Sequence, residues 1–353
     1  MKFIQCVLLF VVISFAAIDI ENPVCEEFTL GAYLDARYEE FGSYNAVPSR
    51  GFSIRRAGLE ASALITGNLQ TELKIEFRPD EVFLKDALVE WGPLNHARAR
   101  FGLFRRATLL GGDLSTWDLP LFERPLVYEL RENLTYSGRD LGFDACFQIP
   151  VSDFLELEGT AGIYNGDARA EEREDSELLY SFRGTAQVLP ADLTLGLSAV
   201  SHRKGLADLS VPDGYISSGR LYAFSGDLSL EHEFSNWYGA SLYAELSTGD
   251  NWELCDVLAG EDPPSFLGYW GTVTFSYHPW NVQTIRTISL SLGYDEVKVD
   301  TDLDWMDRKV SVIGALYPTD DIRLRFGGVM NTSNSFSSSE EYTDIILEAG
   351  FRF

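Results

Sequence analysis

Cysteine is nearly absent from this chain of 353 residues: Cys6, Cys25, Cys146 and Cys255 stand far apart, with no C-x-x-C and no histidine at ligand spacing. That excludes a disulfide framework and points to no metal; at most one pair among Cys25, Cys146 and Cys255 bridges. The four histidines (His96, His202, His232, His278) are scattered, and G-x-S-x-G, H-E-x-x-H, Walker and G-x-G-x-x-G motifs are missing. No enzyme and no cofactor is expected, and His202 with Asp208 is only a weak candidate dyad. Positive charge is short too. Against 54 acidic residues stand 28 basic ones, a net charge of -26, which argues against a nucleic-acid partner. The acidic "DTDLD" at Asp300–Asp304 begins like a calcium loop, but Trp305 stands where glycine must turn, so it reads as a solvated loop. Beyond the first residues there is no run of about 18 apolar residues, so a helical membrane span is excluded.

What is present begins with "MKFIQCVLLFVVISFAA": Lys2, an apolar stretch from Phe3 to Ile13, then the small residues Ser14 and Ala16. This reads as a signal peptide over residues 1–16, with the exported domain at 17–353. Any membrane crossing must then be made by strands. Period-two alternation is abundant. In "FTLGAYLDARYEEF", Phe28, Leu30, Ala32, Leu34, Ala36 and Tyr38 oppose Thr29, Gly31, Tyr33, Asp35, Arg37 and Glu39. "NLQTELKIEF", "FLELEGTAGIY" and "DIRLRFGGVM" repeat the pattern, and "YTDIILEAGFRF" ends the sequence on it. On that last strand Asp344, Ile346, Glu348, Gly350 and Arg352 form a face suited to water.

Soluble sandwiches alternate as well, so the connections discriminate. Tight turns such as "TGN", "PVSD", "LPAD" and "HPWN" alternate with long polar segments such as "EEFGSYNAVPSR" and "NGDARAEEREDS". Short turns at one rim and long loops at the other are the mark of a transmembrane barrel. Sixteen strands are expected, beginning near Glu27, Gly51, Asn68, Val82, His96, Gly138, Phe154, Glu177, Asp192, Ser217, Asn236, Phe266, Val282, Met306, Asp320 and Tyr342. The fold class is all-β, a closed antiparallel barrel in which the last strand pairs with the first, because lipid cannot satisfy a bare edge. Phe353 then faces lipid and is the expected contact for the barrel-assembly machinery. The connection at 106–137 is too long and too apolar to stand in water. It either packs inward against the wall or folds outward onto a neighbouring subunit or lipopolysaccharide.

The segment from Gly51 to Gly166 resembles the phosphate-selective porin O and P family of bacterial outer membranes. Phe52, Ile54, Arg55, Arg56, Ala57 and Leu59 match the family's F-x-I-R-R-A-x-L opening, and Leu84, Asp86 and Ala87 its L-x-D-A strand. Arg100, Gly102, Phe104 and Arg105 are similar to its R-x-G-Q-F-K element, and "FERPL", "RDLGFD" and "IYNG" follow in the family's order. Leu103 stands where glutamine is usual, and "RRATLLGG" lacks the usual proline. The resemblance implies a homotrimeric porin whose third loop, 106–137, folds into the lumen and sets the bore.

The expected function is a water-filled channel in the bacterial outer membrane, passing small hydrophilic solutes and ions by passive diffusion. The resemblance favours phosphate or other anions as permeants. By parity Arg56, Arg98, Arg100, Arg183, Arg323, Arg325 and Arg352 face the lumen, with Arg105 and Arg106 at the root of the loop. Each could instead be a wall residue paired with a carboxylate on the next strand. "VFLKDALVEW" is the one strand whose parity does not resolve. The other readings are a plugged, structural barrel acting as an adhesin or surface protein, and a soluble secreted β-protein. Expected partners are outer-membrane lipid and lipopolysaccharide, with phosphate or small ions as permeant solutes.

Overall fold

The computed structural model describes residues 25–41, 50–79, 81–94, 96–166, 178–207, 216–254, 263–279, 282, 284–301, 303, 305–335 and 338–353. The signal segment 1–16, Asp208, Cys255 and residues 302 and 304 of the acidic stretch lie outside the described residues. The wall consists of β1 (Glu27–Phe41), β2 (Arg50–Thr66), β3 (Leu69–Phe77), β4 (Val82–Leu94), β5 (Ala97–Arg105), β6 (Arg139–Ser152), β7 (Leu155–Tyr164) and β8 (Leu179–Val188). It continues with β9 (Leu193–Ala207), β10 (Ile216–Ser235), β11 (Tyr238–Asp250), β12 (Ser265–Tyr277), β13 (Thr287–Asp300), β14 (Trp305–Thr319), β15 (Ile322–Ser335) and β16 (Ser338–Arg352). Each strand pairs antiparallel with the next, and β16 returns to β1, closing a sixteen-stranded barrel.

The seam runs from Tyr33 opposite Arg352 to Phe41 opposite Asp344. Phe353 extends it, because its amide donates to Ala32 O at 2.8 Å while its own carbonyl accepts from Ala32 N at 3.1 Å. Among the described strands none is left with a bare edge, as the hydrocarbon of a bilayer requires. Strand starts follow the alternation to within two residues at fourteen positions. β13 starts at Thr287 rather than near Val282, because the turn after β12 runs through Ile285 and Arg286. β16 starts at Ser338 rather than near Tyr342, because its polar first residues keep pairing with β15, Ser335 opposite Ser338.

The outward face is apolar: Phe101, Phe143, Leu197, Phe224, Leu246, Leu292, Val312, Phe326 and Leu347 are all exposed at period-two positions. A charge there would cost about 2–4 kcal/mol at the bilayer midplane, which is why the wall's ionisable groups turn inward or sit at the rims. Exposed aromatics gather near the turn-rich rim, among them Trp91, Phe154, Phe234 and Tyr238.

The core of the molecule lies inside the barrel. Residues between β5 and β6 fold into the lumen as a helical turn, α1 (Leu110–Asp113), an arch, and a short helix, α2 (Leu126–Asn133). Leu110, Leu119, Leu121, Val127, Leu134 and Tyr136 pack on Val200, Leu221, Ala223, Tyr243, Phe266 and Trp270 of β9 to β12. Close approach is built in: a Cβ on Gly268 would stand 2.5 Å from Val127 Cγ2. The inner face of β16 is therefore not wet, contrary to its pattern. Ile346 packs with Phe122 and Ile313, and Glu348 is buried, because the loop lies over them. Cys25 and Cys146 are unbridged.

Candidate functional site

The inward loop is held by the wall's arginines. Arg323 Nη1 donates to Thr116 O at 3.2 Å, and Arg325 Nη1 to Leu119 O at 3.2 Å and Leu121 O at 2.6 Å. Arg37 Nη2 and Arg55 Nη1 both donate to Phe122 O, at 3.1 and 2.9 Å. The Trp117 ring lies between the guanidinium groups of Arg323 and Arg352, 4.7 and 5.0 Å from their carbons. At the root, Arg106 is buried and donates to Asp140 at 2.9 Å and to the Thr135 and Ser137 carbonyls. On the far wall Glu245 accepts from Gly111 N at 3.0 Å. Asp295 accepts from Leu126 N at 2.6 Å, capping the first turn of α2.

With one side of the lumen filled by the loop, open space remains along β1 to β8. A separate cavity of about 530 Å³ opens at the turn rim between β8 and β12, lined by Thr194, Ser229, Glu231 and Tyr243. Two cavities of about 560 and 610 Å³ open along β1 to β8 on the turn-rim side of the loop, and both are lined by Asp86, Arg105, Asp113 and Arg139. A third, of about 110 Å³, lies among Glu39, Glu123, Asn331 and Asp344, and shares Arg124 with the second. Arg105, Asp113, Arg124 and Arg139 therefore stand where the lumen is narrowed.

Two β-bulges supply side chains that parity does not predict. The β1–β2 register slips between Asp35 and Ala36, leaving Arg55 as the extra residue, and the β3–β4 register slips between Lys74 and Ile75, leaving Lys85. A bulge lets two consecutive residues share a face. Arg55 and Arg56 both turn inward, and so do Lys85 and Asp86, which resolves "VFLKDALVEW". Lys85 Nζ stands 3.2 Å from Tyr33 Oη and pairs with Glu76, and Asp86 takes two bonds from Arg139 at 2.8 and 3.3 Å. The Tyr33 ring lies over Gly58, where a Cβ would come within 2.3 Å of it.

The arginines expected on the pore path fall into two sets. Arg98 faces Glu158 at 3.6 Å, and Arg100 grips Asp144 through bonds of 3.0 and 2.6 Å. Arg183 holds Asp227 at 2.6 Å and Asp113 at 3.0 Å, while Arg56 pairs with Asp35 and Thr116. These four line one or other large cavity, as does Arg105. Arg106, Arg323 and Arg325 line none of the three and are fully or almost fully buried beneath the loop. Sequence reasoning missed Arg124, Arg139 and Lys85. Arg124 is in the loop, where no alternation signals direction.

Arg105 and Arg124 differ from the rest. Arg105 Nη1 donates to Gly112 O at 2.8 Å; Arg124 donates to Gly111 O, to Gly112 O at 3.4 Å and to Leu114 O at 3.1 Å. Both guanidinium groups face the Tyr128 ring, at 6.0 and 4.8 Å. Among the described residues neither is in an ion pair, whereas Arg56, Arg98, Arg100, Arg139 and Arg183 all are. Burial, followed by the like charges of Arg105 and Arg139, pushes the Arg124 guanidinium down to about 10. Enclosure within the barrel pushes the Asp113 carboxyl up to about 6, against the pull of Arg183, although its side chain is 35% exposed where it borders both cavities, which softens the shift.

No family model matches the chain, and no curated protein matches it. Solved structures do. OprB of Pseudomonas putida superimposes with a TM-score of 0.64 at 11% identity, over 93% of this chain and 94% of that one. The outer membrane channel DcaP of Acinetobacter baumannii gives 0.61 at 12% identity, over 95% and 99%. The anion-selective porin of Comamonas acidovorans gives 0.59 at 9% identity, over 92% and 99%. The fold is that of outer-membrane porins.

Proposed function

We propose that this chain is an outer-membrane porin through which small anions diffuse passively, with inorganic phosphate the oxyanion its constriction suits best. The observation that carries the reading is the pair Arg105 and Arg124, two guanidinium groups at the narrowed lumen held on neighbouring carbonyls, with no carboxylate in ion-pair contact among the described residues. Like charges confined together gain from an anion placed between them. Each guanidinium can present two parallel N–H groups to an oxyanion, a fit that a lysine lacks. Paired cations on the turn-rim side, Arg56 and Lys85 in one cavity and Arg98 and Arg100 in the other, offer weaker sites from which a solute can leave. The acidity of the whole chain does not oppose this, because the charges nearest the constriction weigh more on a permeating ion than those carried by the outer loops. The anion-selective porin among the similar structures and the phosphate-porin motifs agree with the reading, and the motif resemblance also implies a homotrimer in the outer membrane.

The reversal potential of the purified protein in a planar bilayer under a KCl gradient tests it. Anion selectivity, with chloride current blocked by phosphate, is the expected result. Cation selectivity would leave a porin of another preference. The apolar packing of the loop on β9 to β12 favours a second reading, a plugged barrel acting at the surface, and absence of conductance from folded protein would establish that one.

A further inference from the structure

Four guanidinium groups from three strands converge on one carboxylate. Glu348 of β16, 1% exposed, accepts from Arg37 at 2.9 Å, from Arg323 at 3.0 Å and from Arg325 Nε at 2.9 Å, and Arg55 lies 3.7 Å away. Each of the four also donates to a carbonyl between Thr116 and Phe122, the arch that leads directly into Arg124. Glu123, between that arch and Arg124, is itself paired with Arg37 and Arg55. Glu348 lines none of the three cavities.

A guanidinium is a planar fork, so fixing one edge on a carboxylate fixes where its other edge points. Here the outward edges all point at the arch. Without the central negative charge, four positive groups within a few ångströms would repel one another, and the carbonyls they hold would move with them. We propose that Glu348 is a positioning residue of the constriction: it sets the place of residues 116–124, and through them the place of Arg124, without touching a permeating solute. The inference rests on the reading of Arg105 and Arg124 as the anion site.

The test uses the full-length protein in planar bilayers, with heat-modifiable gel migration as the check on folding. Two quantities are read: the phosphate concentration that halves the chloride current, and the fluctuation of the open-channel current. Glu348→Gln is expected to raise the first by about tenfold, as a sub-ångström displacement of a binding group does, and to add fluctuation. Glu348→Asp, which keeps the charge, is expected to restore most of the block. A folded Glu348→Gln channel with wild-type block and a quiet current overturns the proposal. If that variant does not fold, Arg325→Gln decides in its place, since it frees Leu119 O and Leu121 O while leaving Arg37 and Arg323 on Glu348. Wild-type block and a quiet current would again overturn it. If the wild-type channel conducts but phosphate does not block it, the anion reading falls by itself. The fluctuation of Glu348→Gln then decides the positioning role, a quiet current sinking it and a noisy one supporting it.

Discussion

Arg37 of β1 and Glu348 of β16 stand opposite each other across the seam that closes the barrel, 2.9 Å apart and both buried. The pair does two things at once. It joins the first strand to the last, where a gap would expose unpaired backbone, and it turns Arg37 toward Phe122 O of the loop. Arg37→Ala would leave Glu348 with Arg323 and Arg325 but would lose the bond across the seam. Breaking a buried pair on one side costs about 3 kcal/mol, so the variant should convert to the unfolded gel form at a lower temperature than the wild type. An unchanged conversion temperature would mean that the backbone ladder alone holds the seam.

Arg124 and Arg105 should behave alike toward phosphate and differently from Arg106. Arg124→Ala and Arg105→Ala are each expected to weaken phosphate block about tenfold, and Arg124→Lys to recover only part of it, since a lysine offers a point charge in place of a fork. Arg106 is bonded to Asp140 and to two loop carbonyls, so Arg106→Ala should lower folding yield and heat stability first. Block constants and conversion temperatures measured on the same preparations separate the two roles.

The barrel, and the need to cover the long loop, are legible in the sequence because both follow from solvent, whereas the loop's inward direction comes from the resemblance to a porin family. A wall between lipid and water must alternate, and an apolar segment of loop length must be covered. Direction within the lumen is less legible. Arg323 and Arg325 turn inward as their parity requires, yet parity says nothing of the loop that lies over them. Arg55 and Lys85 break parity because a bulge inserts one residue, and a bulge leaves no mark in a single sequence unless glycine makes it. Arg124 carries no periodic signal at all. The candidate site is therefore assembled from the positions where strand logic ends: a loop, a loop root and two bulges.

The constriction should become more anion-selective in acid. The Asp113 carboxyl is pushed up to about 6 by its enclosure within the barrel, so it is charged at neutral pH and loses its charge as the pH falls through that value. The throat then gains one positive charge beside Arg105 and Arg183. A carboxyl whose folded value lies above its unfolded one binds its proton more tightly when folded. This group therefore opposes folding at neutral pH, and that cost is relieved as the pH falls from about 6 toward the unfolded value of about 3.9. Reversal potentials on either side of pH 6 should differ in the wild type and agree in Asp113→Asn. A pH dependence that survives the substitution would assign it to other groups.

The width of the second large cavity depends on a glycine. Tyr33 lies flat on Gly58, its hydroxyl bonded to Glu76 at 2.7 Å and standing 3.2 Å from Lys85 Nζ. A methyl group at 58 would meet the ring at 2.3 to 2.5 Å, closer than any real contact, so in Gly58→Ala the ring must lift into the lumen. Overpacking of this kind costs about 1–3 kcal/mol, and the displaced ring would also loosen Lys85 and Glu76. Lower conductance is expected from Gly58→Ala, together with weaker phosphate block if Lys85 contributes to the anion path. Tyr33→Ala should raise conductance, and the double variant should match Tyr33→Ala, because the three atoms nearest to a methyl group at 58 all belong to the Tyr33 ring. Conductances that simply add would mean that Gly58 serves the strand and not the bore.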